Sequence, residues 1–190
     1  MARPLSEDKR NAILEAAAEV VAAAGVSAPT AKIAKAAGVA EGTLFTYFAT
    51  KDALLNQLYL TLKAEVEAAM LAGIPASGAA RERWRHFWDR YLDWGADQPA
   101  KRRAMRQLVV SDRITAQSRE IGNRGFRDLE AMMAESRAAG VLRDQPAEFV
   151  AAVMEALAEA MLEFIAREPG RRQHYKQAGF EALWCAVAVP

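Results

Sequence analysis

PTAKIAKAAGVAEGTLFTYFATKDALL, residues Pro29 to Leu55, decides the reading of this chain. It holds two short helical patterns hinged at Gly38-Val39, and a third opens at Thr50-Lys51-Asp52. Thr30 is placed to cap the first, since its hydroxyl accepts from an orphan backbone N–H. Ile33, Ala34 and Ala37 then fall on one face at helical spacing. Gly38 stops that helix because glycine enters the left-handed region at least cost. Val39 is expected to plug the gap between the helices.

The second pattern runs from about Ala40 to Phe48, with Leu44 and Phe48 on its inner side. Gly42, Thr43, Thr46 and Tyr47 fall on the outer side, which offers bare backbone, two hydroxyls and a phenol but no aliphatic bulk. A helix, a glycine turn and a second helix with a small polar outer face is the layout of a helix-turn-helix. The second helix of that motif reads base edges in the major groove of DNA.

Outward from this stretch the chain reads as all-α, with about nine helices and no alternating Val/Ile/Thr run of useful length. Upstream, Ser6 with Glu7 and Asp8 makes a cap followed by acids in the positive first turn. The stripe Ile13, Leu14, Ala17, Val21 then gives the helix on which the motif packs, ended by Gly25. Residues 1–5 are expected to be a loose arm carrying Arg3. Downstream, Thr50 caps a long helix with Leu54, Leu55, Leu58 and Leu62 on one face. This helix starts at the reading head and runs away from it as a connector.

Gly73 to Ala79, GIPASGA, is the clearest break, and Ser77 within it suits a cap for the next helix. That helix carries Trp84, Phe87, Trp88, Tyr91 and Trp94. Pro99 restarts the chain, and one long pattern is expected from Thr115 to Ala139, weakened by Gly122 and Gly125. Gly140 and Pro169-Gly170 separate the final two helices, which are rich in alanine.

The 190 residues, 52% of them hydrophobic, suffice for a sizeable core. No apolar run approaches the roughly 18 residues a membrane span needs, and the first ten residues lack a leader's apolar centre. A cytoplasmic protein is expected. The single Cys185 excludes an intrachain disulfide, and next to Trp184 and Val187 it reads as an inert core thiol. His86 and His174 are too isolated for a metal site. No nucleophile with a base and no phosphate loop appears, so neither an enzyme nor a bound cofactor is expected. The net charge of +1 does not advertise nucleic-acid binding. Any DNA contact must rest on where charges sit, not on their sum.

The opening stretch resembles the DNA-binding region of TetR-family transcriptional regulators. Thr30, Ile33-Ala34, Ala37-Gly38-Val39, Gly42-Thr43-Leu44-Phe45, Tyr47-Phe48, Lys51 and Leu54-Leu55 match in order and spacing, and the resemblance covers about residues 8–60. It implies a DNA-binding head at residues 1–50. Residues 51–190 would then be a helical domain for a small effector and for homodimerisation, the helix from Lys51 connecting the two. It also implies a regulator, most often a repressor, on a palindromic operator in double-stranded DNA. Two positions depart from the family. Ala40 stands where serine is frequent, removing a cap worth about 1 kcal/mol. Phe45 stands where tyrosine is favoured, keeping the packing but losing a hydroxyl.

The expected DNA contacts are Thr30, Lys32, Gly42, Thr43, Phe45, Thr46, Tyr47 and Lys51, with Lys35 as a further candidate. Lysines there position the protein on phosphate, and base contacts specify sequence. Aromatic walls with adaptable methionines suit a hydrophobic or aromatic effector; the candidate lining is Trp84, Trp88, Tyr91, Met105, Phe126, Met133 and Met154. For the same residues the plainer reading is core. Arg102, Arg103, Arg106, Arg171 and Arg172 read as solvated faces. A helical ligand-binding protein without DNA binding is the alternative function.

Overall fold

The structure is a computed structural model that describes residues 6–75 and 78–189. Arg3, the arm at residues 1–5 and the cap expected of Ser77 lie outside the described residues. The order is α1 (Glu7–Ala24), α2 (Thr30–Ala36), α3 (Glu41–Tyr47), α4 (Lys51–Leu71), α5 (Ala80–Asp97), α6 (Pro99–Val109), α7 (Ala116–Arg124), α8 (Arg127–Ala138), α9 (Ala147–Arg167), a 3-10 turn at Pro169–Arg171 and α10 (Arg172–Val187). Among the described residues there is no strand beyond an isolated antiparallel bridge between Leu142 and Ala188. The all-α expectation holds. The pattern expected as one helix from Thr115 to Ala139 is two, α7 and α8, interrupted at Gly125-Phe126. At Gly122 a Cβ would come within 2.9 Å of the Tyr59 ring, so close packing explains that glycine.

The chain divides into two compact units, Met1–Glu65 with Gln98–Arg124, and Val66–Asp97 with Gly125–Pro190. In the first, α1 packs on α2 and on α6, and α2 packs on α3. Ile13, Ala17, Ile33, Leu44, Leu54, Leu55 and Leu58 form its buried core. Ser6 caps α1 as its sequence implies, accepting from the Lys9 N–H. Lys101 of α6 reaches Glu15 of α1 at 2.7 Å and Glu65 of α4 at 3.0 Å. Burial alone would lower the pKa of Lys101, but the two carboxylates outweigh it and raise it. Arg102, expected on a solvated face, is buried, because its position on α6 turns inward beside Ala104 and Leu108.

The second unit centres on α5, α9 and α10, which pack on one another. Trp84, Phe87 and Trp88 are almost fully buried. Their burial leaves no indole stranded: Trp84 Nε1 donates to Ser136 Oγ and Trp88 Nε1 to the Lys176 carbonyl at 2.8 Å. A Cβ at Gly179 would meet Met161 Cγ at 2.5 Å and Trp88 Cζ2 at 2.6 Å, so only glycine lets α10 approach this closely. Lys176, buried, bonds both carboxylate oxygens of Asp93 at 2.9 and 3.0 Å. Arg172 joins the same carboxylate at 2.8 Å and Asp97 at 2.7 Å. Arg172 is therefore an interhelix tie rather than a solvated charge. Burial alone would raise the Asp93 pKa, but the bonds and charges of Lys176 and Arg172 together lower it.

Cys185 is exposed, not a core thiol. Its neighbours Leu183 and Val187 take the inward positions of α10, which leaves Cys185 on the outer side. Ala151, Ala152, Ala156 and Ala160 of α9 are likewise exposed, so they are not part of the unit's own core.

Candidate nucleic-acid interface

Neither α2 nor α3 is long enough to stand alone, since isolated helices under about 12 residues are marginal in water. Their geometry is set by caps and by the core beneath. Gly38, at φ 67°, closes α2. Its N–H donates to the Lys35 carbonyl and the Val39 N–H to the Ala34 carbonyl, the paired bonds of a Schellman end. The residue that caps α2 is Pro29, with no side-chain bond, and not Thr30. Thr30 is already the first helical residue, so its side chain turns away from its own backbone. Its hydroxyl donates to Glu41 Oε1 at 2.6 Å, joining the starts of α2 and α3.

Ala40 is the N-cap of α3 and provides no side-chain cap, as its sequence implies. Leu44 is fully buried and Phe48 nearly so, which holds α3 against α1 and α4 residues of the same core. Full burial of such a leucine contributes about 1.5–3 kcal/mol. Arg10 lies 5.6 Å from the centre of the Phe48 ring. Burying Leu44 leaves most of α3 on the outer side, but Tyr47, expected there too, also packs against the core, because it lies three residues from Leu44 on the helix. Gly42, Phe45 and Thr46 are exposed, and Thr43 and Tyr47 half-buried. A Cβ at Gly42 would meet nothing within 4 Å, so the backbone there is open to close approach.

The outer face is less purely polar than its pattern implies, because Phe45 is 42% exposed. Two hydroxyls on this face are already engaged. Thr46 donates to the Gly42 carbonyl at 3.0 Å, so its proton serves its own helix. The Tyr47 oxygen accepts from the Ser6 N–H at 3.1 Å, which ties α3 to the start of α1. The Tyr47 proton is not used in that bond. Among the described residues no hydrogen bond engages the Thr43 hydroxyl.

Lys32 and Lys35 are exposed on α2, and Lys51 opens α4 half-buried. Thr50 caps α4 as its sequence implies, accepting from the Ala53 N–H at 3.0 Å. Burial lowers the Lys51 pKa, the Arg113 guanidinium lowers it further, and Asp52 partly offsets both. An anion placed there would relieve that strain on the ammonium. Arg113 is a residue that sequence reading missed. It bonds Asp52 at 2.7 Å, and Asn56 holds its segment by donating to the Arg113 carbonyl at 2.8 Å and accepting from the Thr115 N–H at 2.9 Å. No spacing signal joins residues so far apart.

The candidate effector residues do not form one group. Met105 packs against the core of the first unit, and the other six belong to the second. Trp84, Trp88 and Met133 are buried there, while Tyr91, Phe126 and Met154 are half-buried.

This is the head of a helix-turn-helix DNA-binding protein. Residues 13–58 match the model of the family described as bacterial regulatory proteins, tetR family. A protein assigned to that family from Shewanella sp. PV-4 is 29% identical, with a TM-score of 0.85 over 96% of this chain and 99% of that one. A TetR family transcription regulator from Marinobacter aquaeolei VT8 is 24% identical, with a TM-score of 0.88 over 97% of each chain. The regulator LfrR from Mycobacterium smegmatis, whose structure is a complex with proflavine, is 23% identical, with a TM-score of 0.69 over 93% of this chain and 95% of that one. The chain carries a tetR-family head on the tetR-family fold, and it is a DNA-binding transcription regulator rather than an enzyme. No described helix is long and apolar enough to cross a membrane.

Proposed function

We propose that this regulator is a cytoplasmic homodimer that represses transcription from a palindromic operator and is released by a small hydrophobic or aromatic effector. Residues 1–50 are its reading head. Residues 51–190 take the effector and make the dimer, with the helix from Lys51 as connector. The observation that carries the reading is the outer face of α3. With Leu44 buried, Gly42, Phe45 and Thr46 are exposed and Thr43 is half-buried, as is Tyr47, whose ring also packs against the core; Lys32 is exposed on α2 and Lys51 half-buried at the start of α4. Thr43 has the only hydroxyl of that set with no bond to the protein among the described residues, which suits a base edge, while its methyl suits a thymine methyl. Thr30 is bonded to Glu41 at the start of α3.

Dimerisation is supported by the exposed alanines of α9, which permit close helix approach, and by the short reach of a single recognition helix. The effector class is supported by the aromatic-rich second unit and by the proflavine complex of the Mycobacterium smegmatis relative. An effector releases DNA only to the extent that it prefers the form whose heads no longer match the half-sites.

The test selects duplexes from a random pool and measures their binding. Wild type is expected to enrich a palindrome, and Thr43→Ala with Tyr47→Ala to lose it while sedimenting as wild type. A wild-type protein that enriches no sequence refutes the reading. Ala156→Arg is expected to give monomers in sedimentation.

A further inference from the structure

We propose that Glu41 is a specificity-determining residue of the reading head, one that selects a cytosine in each half-site and is held in position by Thr30. The inference rests on the DNA-reading function proposed above and adds to it a base identity.

Glu41 is the first residue of α3 and is exposed, on the end of the recognition helix from which base edges are reached. An exposed carboxylate at a DNA-facing surface is repelled by phosphates, so on electrostatic grounds alone it weakens binding to any duplex. That penalty is offset only where DNA presents a donor. In the major groove the donors are the exocyclic amino groups of cytosine and adenine. On adenine the amino group lies beside the N7 acceptor of the same base, which repels a carboxylate. Cytosine has no acceptor on its own groove edge. A carboxylate, which only accepts, is therefore matched to cytosine N4 and mismatched to guanine and to thymine O4.

Thr30 makes this selective rather than merely repulsive. Its hydroxyl donates to Glu41 Oε1 at 2.6 Å, a short charge-assisted bond. One oxygen is thereby fixed and the other is left to accept. A glutamate fixed before binding loses less rotamer freedom on contact than one swinging in solvent. The proton of Thr30 is committed to this bond, which makes Thr30 a positioning residue for Glu41.

The experiment uses the full-length protein and selection from a random duplex pool, followed by affinities for the selected duplex with each base substituted in turn. Wild type is expected to prefer cytosine at one symmetric position per half-site by about tenfold. Glu41→Ala is expected to level the four bases at that position and leave the others unchanged. Glu41→Gln is expected to move the preference toward adenine, to which glutamine bonds bidentately. Thr30→Val is expected to blunt the cytosine preference and Thr30→Ser to restore it. A wild-type protein that selects no sequence fails the DNA-reading function itself. A selective wild type whose base preferences survive Glu41→Ala at every position overturns this inference alone, as does a loss confined to a position where wild type prefers any base other than cytosine.

Discussion

Replacing Tyr47 with phenylalanine separates two roles that the structure gives one oxygen. That oxygen accepts from the Ser6 N–H at 3.1 Å, and its own proton is left for an outside acceptor. The accepted bond is neutral, long and exposed, so its loss is expected to cost about 0.5–1 kcal/mol of stability. Donation to a phosphate is a charged bond, worth about 1.5 kcal/mol at the low end of its range on a wetted face, or roughly tenfold in Kd for each head. Two heads acting independently on a palindrome make that about a hundredfold. Fluorescence anisotropy with the selected duplex reads the affinity, and urea denaturation reads the stability. The salt dependence should stay unchanged, because no cation has been removed. Operator affinity equal to wild type with a lowered urea midpoint would refute the phosphate role and leave Tyr47 as an anchor for α1. A stability loss above about 2 kcal/mol would show that the Ser6 bond has been undervalued.

Lys51→Gln should make the slope of log affinity against log salt shallower by about one unit per head while leaving the order of preferred sequences intact; a steep, unchanged slope in anisotropy titrations would remove Lys51 from the phosphate contacts. Leu44→Ala deletes the buried anchor of α3 and should cost about 2–5 kcal/mol, abolishing operator binding before the rest of the chain loses its helical circular dichroism. Asp93→Asn strips the partner of buried Lys176 and should cost about 2 kcal/mol at neutral pH, below the usual 3–5 because Asp93 is partly exposed and Asp89 lies 3.9 Å from the ammonium. Because the folded pKa of Asp93 is lowered, its stabilisation is present above the unfolded value near 4 and is lost as pH falls through the folded value. Urea midpoints from pH 7 down to pH 2 should therefore fall further in wild type than in Asp93→Asn, and parallel curves would contradict the assignment.

Local chemistry made the head readable. Ser6, Gly38, Thr50 and the burial of Leu44 and Phe48 each follow from rules that act within one helical turn, and each stands in the structure where the sequence put it. Thr30 is not the cap its sequence implies, because Pro29 takes that position one residue earlier, and the two sites differ by less than periodicity resolves. The family resemblance rests on the same short stretch, where a fixed spacing of small, apolar and hydroxyl residues serves one geometry.

What only the tertiary structure decided is which side chains spend their polar groups on each other. The bond from Thr30 to Glu41 spans eleven residues, that from Ser6 to Tyr47 spans forty-one, and that from Arg113 to Asp52 spans sixty-one. No periodicity encodes such pairs, because they depend on helix placement and not on helix formation. The same holds for Cys185, exposed on α10 although its sequence neighbours are apolar, and for Arg102 and Arg172, whose charges turn inward. The sequence by itself determined most of the helices and the reading head of this protein, because turns, caps and apolar stripes act locally, and it missed the break between α7 and α8. Packing alone decided the hydrogen-bond partners on that head, because those partners are remote in the chain and meet only once its core has formed.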